Sequence, residues 1–207
     1  GDRVHARTHE VPIRHLNEII MKPIALFLRF TCSLIITINL AACSKNESVE
    51  LKSVEFLGLE SSLPLAWIEE TPASSMRLAQ FRVPGAEKGS NAYLVLFYFG
   101  QDQGGTPEAN IARWQSQFSN PRGGIVEPRV ETTNINNLPV TVVELRGDYA
   151  RGAGMGPVGA ATPDQILMAS IVESPRGNIY IQLHGPAAVV AMHRDAYIKF
   201  IHGIHTK

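Results

Sequence analysis

The sequence predicts an α+β domain in which a mostly antiparallel sheet of about six or seven strands is covered by two helices. Three observations carry this. Short apolar runs are joined by hairpin-type turns rather than by helical crossovers. One run, 91–99 (NAYLVLFYF), is almost continuously apolar, as in an interior strand covered on both faces. Only two stretches keep helical spacing, one after Thr106 and one from Ala187 onward.

Taken in order, 64–70 (PLAWIEE) brings Trp67 into the core, and the turn residues of 71–75 separate it from a strand over 76–83 (MRLAQFRV). The apolar run 91–99 follows. Next comes the clearest helix start: Thr106 as cap, Pro107 at the first helical position, and Glu108 to complement the dipole. Pro107, Ile111, Trp114 and Phe118 form an apolar stripe, with Asn110, Arg113 and Gln117 as a polar stripe beside it; 120–124 (NPRGG) ends the helix. Strands over 129–136 and 139–146 meet at Asn136-Asn137. A Gly-rich loop over 147–162 leads to strands at 165–173 and 178–184, joined by Ser174-Pro175-Arg176-Gly177. Val190, Arg194, Tyr197 and Ile201 mark the last helix, 187–201.

The N-terminal region reads differently. Met21 opens a secretory pattern: Lys22 and Arg29, then an apolar run over 30–40, then small residues. The run is too short to span a bilayer. Leu40-Ala41-Ala42-Cys43 resembles the lipobox of bacterial lipoproteins. That resemblance implies a lipidated Cys43 as first mature residue, palmitate or similar chains on its thiol and amine, and a membrane contact through them. Ser44 in place of Asp favours the outer membrane. The domain plan is then 1–20 as a non-native or mis-called upstream extension, 21–42 as signal peptide, 43–62 as a tether and 63–207 as one α+β domain. Fully extended, a tether over 44–62 reaches at most about 65 Å.

Composition excludes several classes. The whole chain has 19 basic and 19 acidic residues, and the expected mature part carries a net charge of −2. No strong basic field exists for nucleic acid, so no nucleic-acid partner is expected. The two cysteines are Cys32 and Cys43. One leaves with the signal and the other is acylated, which leaves neither a disulfide nor a thiol nucleophile.

Chemistry-bearing candidates are few. Asn110, Arg113 and Gln117, with Trp114 adjacent, form a hydrogen-bonding helix face fit for a sugar or a peptide backbone; the competing reading is a structural tie to nearby loops. Gly104-Gly105-Thr106 offers N–H groups to an anion, as every capped helix start does. Gly154, Gly156 and Gly159 match a dinucleotide spacing, but Pro157 and a strand pattern follow where a helix is required. His184, His193, His202 and His205 lack clustered partners, so no metal and no cofactor is expected. Neither G-x-S-x-G nor H-E-x-x-H is present. No catalytic residue is assigned.

The element order, with the Pro-x-x-Trp entry at Pro64 and Trp67, resembles the Mog1/PsbP-like fold over about residues 60–203. Phe97-Tyr98-Phe99-Gly100, Gly104-Gly105 and Asn110-Ile111-x-Arg113-Trp114-x-x-Gln117-Phe118 also resemble a recurring pattern in exported bacterial proteins. The expectation is a lipid-anchored, non-enzymatic binding or assembly module of a bacterial cell envelope, on the periplasmic face of the outer membrane, with an envelope protein as partner. The alternatives are an envelope enzyme acting on glycan or peptide, and a small-ligand-binding lipoprotein.

Overall fold

The computed structural model describes residues 49–150 and 160–207. Cys43, the signal region, the extension before it and the Gly154 to Gly159 spacing lie outside the described residues.

Folding begins earlier than expected. Leu51–Phe56 (β1) and Leu59–Pro64 (β2) form an antiparallel hairpin with Phe56 facing Leu59. Its two loop residues, Leu57 and Gly58, have φ of 52° and 81°. Positive φ at both loop positions suits the twist of a two-residue hairpin turn. His205–Thr206 (β11) pairs with β2, making a three-stranded sheet. The expected tether over 43–62 is therefore corrected: from Leu51 the chain is strand, because Phe56, Leu59 and Leu63 are buried against the main core.

The second sheet has eight strands. Its order is Ile68–Glu70 (β3), Arg77–Pro84 (β4), Asn91–Tyr98 (β5), Gly177–Pro186 (β10), Thr162–Ser174 (β9) and Leu138–Tyr149 (β8). The outer edge of β8 is shared by Arg129–Ile135 (β7) and Phe118–Ser119 (β6). Every pairing among the described residues is antiparallel. Asn136 and Asn137 close the β7–β8 hairpin at φ of 50° and 68°, conformations that asparagine tolerates better than most residues. The Asn136 side chain also donates to Ile204 O at 2.7 Å, pinning that turn to the C-terminal segment.

Alternation along each strand divides the side chains between two faces. On β9, Ile166, Met168 and Val172 join one core while Leu167, Ala169 and Ile171 join the other. The larger core lies beneath the β1–β2 hairpin, Ala187–Met192 (α2) and Arg194–His202 (α3). The second helix expected as one piece is thus two, interrupted at His193. That ring accepts from Trp67 Nε1 at 3.3 Å and bonds Pro84 O through Nε2 at 2.9 Å. The two bonds together place the ring hydrogen on Nε2. Ser61 Oγ donates to Phe200 O at 2.6 Å, and the buried Tyr197 hydroxyl meets Ser170 Oγ at 2.8 Å and Ile181 O at 3.1 Å. Burial pushes the Tyr197 phenol above its ordinary value, partly offset by the Ser170 bond.

The opposite face has one helix among the described residues, Pro107–Gln115 (α1). Thr106 caps it by accepting from Ala109 N at 3.3 Å. The carboxyl of Glu108 is held below the usual range by its own backbone N–H and the Thr106 hydroxyl. The helix stops sooner than the apolar stripe predicts, because Phe118 and Ser119 leave it to pair with Tyr149 and Asp148. Nine residues make a helix about 13.5 Å long, whose Trp114 packs with residues of β8 and β9 and with Tyr180 of β10. Strand β5 is interior as expected, yet only its Ala92, Leu94 and Leu96 side belongs to a closed core; Tyr93, on the other side, is 41% exposed.

Candidate binding cleft

The short helix leaves an open region over β4, β5 and β10. Cross-strand register builds its floor in rows. Gln80, Val95 and Gln182 are paired across the three strands, placing an amide on each side of a valine. Tyr93 and His184 are paired in the next row, Arg77 and Phe97 in the row on the other side. Gln117, Tyr149 and Leu167 complete the lining of a cleft of about 320 Å³.

The walls are aromatic. His184 lies 4.2 Å from the Tyr149 ring centroid and 6.3 Å, edge-on, from Phe118; Phe118 and Tyr149 are 5.3 Å apart. The guanidinium of Arg77 sits 5.4 Å from the Phe97 centroid, within cation–π range. It donates to Gln80 Oε1. Gln80 Nε2 donates in turn to Glu70 Oε2 at 3.1 Å, and Glu70 Oε1 pairs with Arg82 at 3.0 Å. The amide of Gln80 is thereby fixed in orientation, and the Glu70 charge is taken up by Arg82. Among the described residues no carboxylate pairs directly with the Arg77 guanidinium. The side-chain amides of Gln117 and Gln182 bond to no described residue, so they are available to a ligand.

The residues singled out from the sequence are not brought to one surface. Asn110 is 2% exposed. Its Nδ2 donates to Gly104 O at 2.7 Å and Thr106 O at 2.9 Å, and its Oδ1 accepts from Arg113. It holds the turn that precedes the helix. Trp114 is buried in the second core. Gln117 lies beyond the end of α1, and it alone of the four lines the cleft. The Gly104-Gly105 pair serves packing: a Cβ on Gly104, at φ +93°, would approach the Tyr180 hydroxyl to 2.6 Å. That hydroxyl donates to Gly105 O at 3.0 Å.

Of the four histidines considered for metal, His184 lines the cleft and His193 ties Trp67 to Pro84, while His202 and His205 lie at the C-terminal end. Among the described residues no three His, Cys, Asp or Glu side chains converge as metal ligands. Sequence reasoning missed Arg77, Gln80, Tyr93 and Gln182, and weighed His184 only as a metal ligand. Their signal was the polar or aromatic residue at every second position, as in 178–184 (NIYIQLH), where Tyr180, Gln182 and His184 alternate with Ile179, Ile181 and Leu183.

No family model and no curated protein matches the sequence. Among solved structures, the chain is similar to the solution structure of cyanobacterial PsbP (CyanoP) from Synechocystis sp. PCC 6803, with a TM-score of 0.50 at 16% identity over 81% of this chain and 99% of that one. It is also similar to a Pseudomonas aeruginosa protein of unknown function, with a TM-score of 0.42 at 14% identity over 74% and 94%. The first likeness shows the fold: antiparallel sheets with three helices among the described residues, PsbP-like as the element order predicts.

Proposed function

We propose that this protein is a non-enzymatic binding module of a bacterial cell envelope, anchored by acyl chains on Cys43, and that it holds its ligand in the cleft over β4, β5 and β10. The carrying observation is the cleft itself, in which a guanidinium, two available amides and aromatic walls converge on one concavity. Such a convergence of a few polar groups in an apolar-walled pocket is the usual form of a small-ligand site.

The position of the β1–β2 hairpin supports an anchored arrangement. Eight residue steps from Cys43 to Leu51 span at most about 27 Å, far less than a 43–62 tether allows. Val49, Leu51, Leu65 and Ile68 are exposed apolar residues on or beside β1, β2 and β3. Two or three acyl chains, at about 0.8 kcal/mol per buried methylene, hold firmly. The periplasmic face of the outer membrane is the proposed location.

The test is isolation of the native protein from solubilised envelopes, with Cys43→Ser in parallel, after labelling with a clickable palmitate analogue. Label on the native chain only, with a bound ligand or partner co-purifying, is the expected result. Label retained on Cys43→Ser, or no label on either form, overturns the anchor.

A further inference from the structure

The cleft also carries information about what it binds. It lies on the face of a sheet, where backbone N–H and C=O groups of β4, β5 and β10 are already paired with one another. Only side chains are left to read a ligand. An extended peptide is normally captured through backbone pairing at a sheet edge, which this site does not offer. The groups present are the amides of Gln117 and Gln182 and the hydroxyls of Tyr93 and Tyr149. Each both donates and accepts, as a sugar hydroxyl does. Tyr93 and Tyr149 supply aromatic surface, and the volume is near the small end of ligand pockets, room for one substituted ring. Arg77 adds a planar cation with no direct carboxylate partner among the described residues, bonded to Gln80 and lying over Phe97. Guanidinium groups so placed suit a carboxylate bidentately.

We propose that the cleft binds an acidic sugar, with the carboxylate on Arg77 and the ring hydroxyls on Gln117 and Gln182. This rests on the reading of the cleft as a binding site. The test uses the full chain carrying Cys43→Ser, and follows the side-chain amide NMR signals of Gln117 and Gln182. The probes are glucuronic acid, glucose, acetate and trialanine. Glucuronic acid is expected to move both signals, with glucose about tenfold weaker and acetate weaker than glucuronic acid. One charge-assisted contact is worth about that factor. Arg77→Gln should reduce glucuronic acid to the affinity of glucose. Gln182→Ala, and separately Gln117→Ala, should weaken both sugars in a chain whose backbone spectrum is otherwise unchanged. The proposal is overturned if glucuronic acid leaves the two signals in place, or if Arg77→Gln leaves its affinity unaltered. Signals moved by trialanine and not by glucuronic acid would sink the sugar while the binding-cleft reading survives. Signals moved by no probe would count against both.

Discussion

The two faces of the eight-stranded sheet are built from the same strands and end in opposite states. One is sealed by a hairpin and two helices around Trp67, Phe81, Tyr197 and Phe200, all buried. The other carries, among the described residues, a single nine-residue helix and a cleft over β4, β5 and β10. The sealed face concentrates apolar area and fully bonded polar groups, which favours stability. The open face retains side chains whose hydrogen-bonding capacity is unspent. Substitutions on the first should therefore move the unfolding free energy, and substitutions on the second should move binding.

The largest effect is expected from Trp67→Ala, about 3–5 kcal/mol of lost stability by urea denaturation. It removes a fully buried indole and takes the N–H donor from His193, the ring at the break between α2 and α3. A loss under about 1 kcal/mol would mean that the sealed face is not the mainstay. Trp114→Ala belongs to the same class, at about 3 kcal/mol, at the low end because its smaller cluster borders an open cleft and has room to relax. If it proves costlier than Trp67→Ala, the contrast between the faces is wrong.

Tyr197→Phe is expected to cost about 1 kcal/mol at neutral pH, since the Ser170 hydroxyl loses a partner. It also has a pH signature. The folded phenol is raised above its unfolded value by burial. Its contribution is complete below the ordinary phenol pKa of about 10 and is lost as pH rises beyond that value toward the folded one. The wild type should lose stability there more steeply than Tyr197→Phe, as midpoints measured on both sides of about pH 10 would show. Parallel curves would contradict a buried, neutral Tyr197. The smallest stability effect belongs to Gln182→Ala, within about 0.5 kcal/mol, because its amide bonds no described residue. A loss of several kcal/mol would make the open face structural rather than functional.

Features that depend on neighbouring residues were legible without coordinates. The Thr106 cap with Pro107, the Asn136-Asn137 turn and the β9–β10 hairpin at Ser174 to Gly177 are local conformational choices, and each is present. Features that depend on distant pairing were misread. The end of α1 is set by Phe118 and Ser119 joining Tyr149 and Asp148, about thirty positions along the chain, and no periodicity in 107–118 signals that competition. Polar-looking 51–62 becomes a hairpin because Phe56, Leu59 and Leu63 find the C-terminal helices. Asn110 and Gln117 shared one predicted stripe, yet one is buried at the start of α1 and the other lines the cleft.

By itself, then, the sequence determined the α+β class, the antiparallel hairpins, the helix start and the apolar alternation, since propensity, turn chemistry and periodicity act over a few residues. Only the tertiary structure decided how far α1 reaches, and so which part of the sheet stays open. It also decided which alternate residues of β4, β5 and β10 meet. Register across strands places Gln80, Val95 and Gln182 side by side, and no local rule links positions a hundred residues apart.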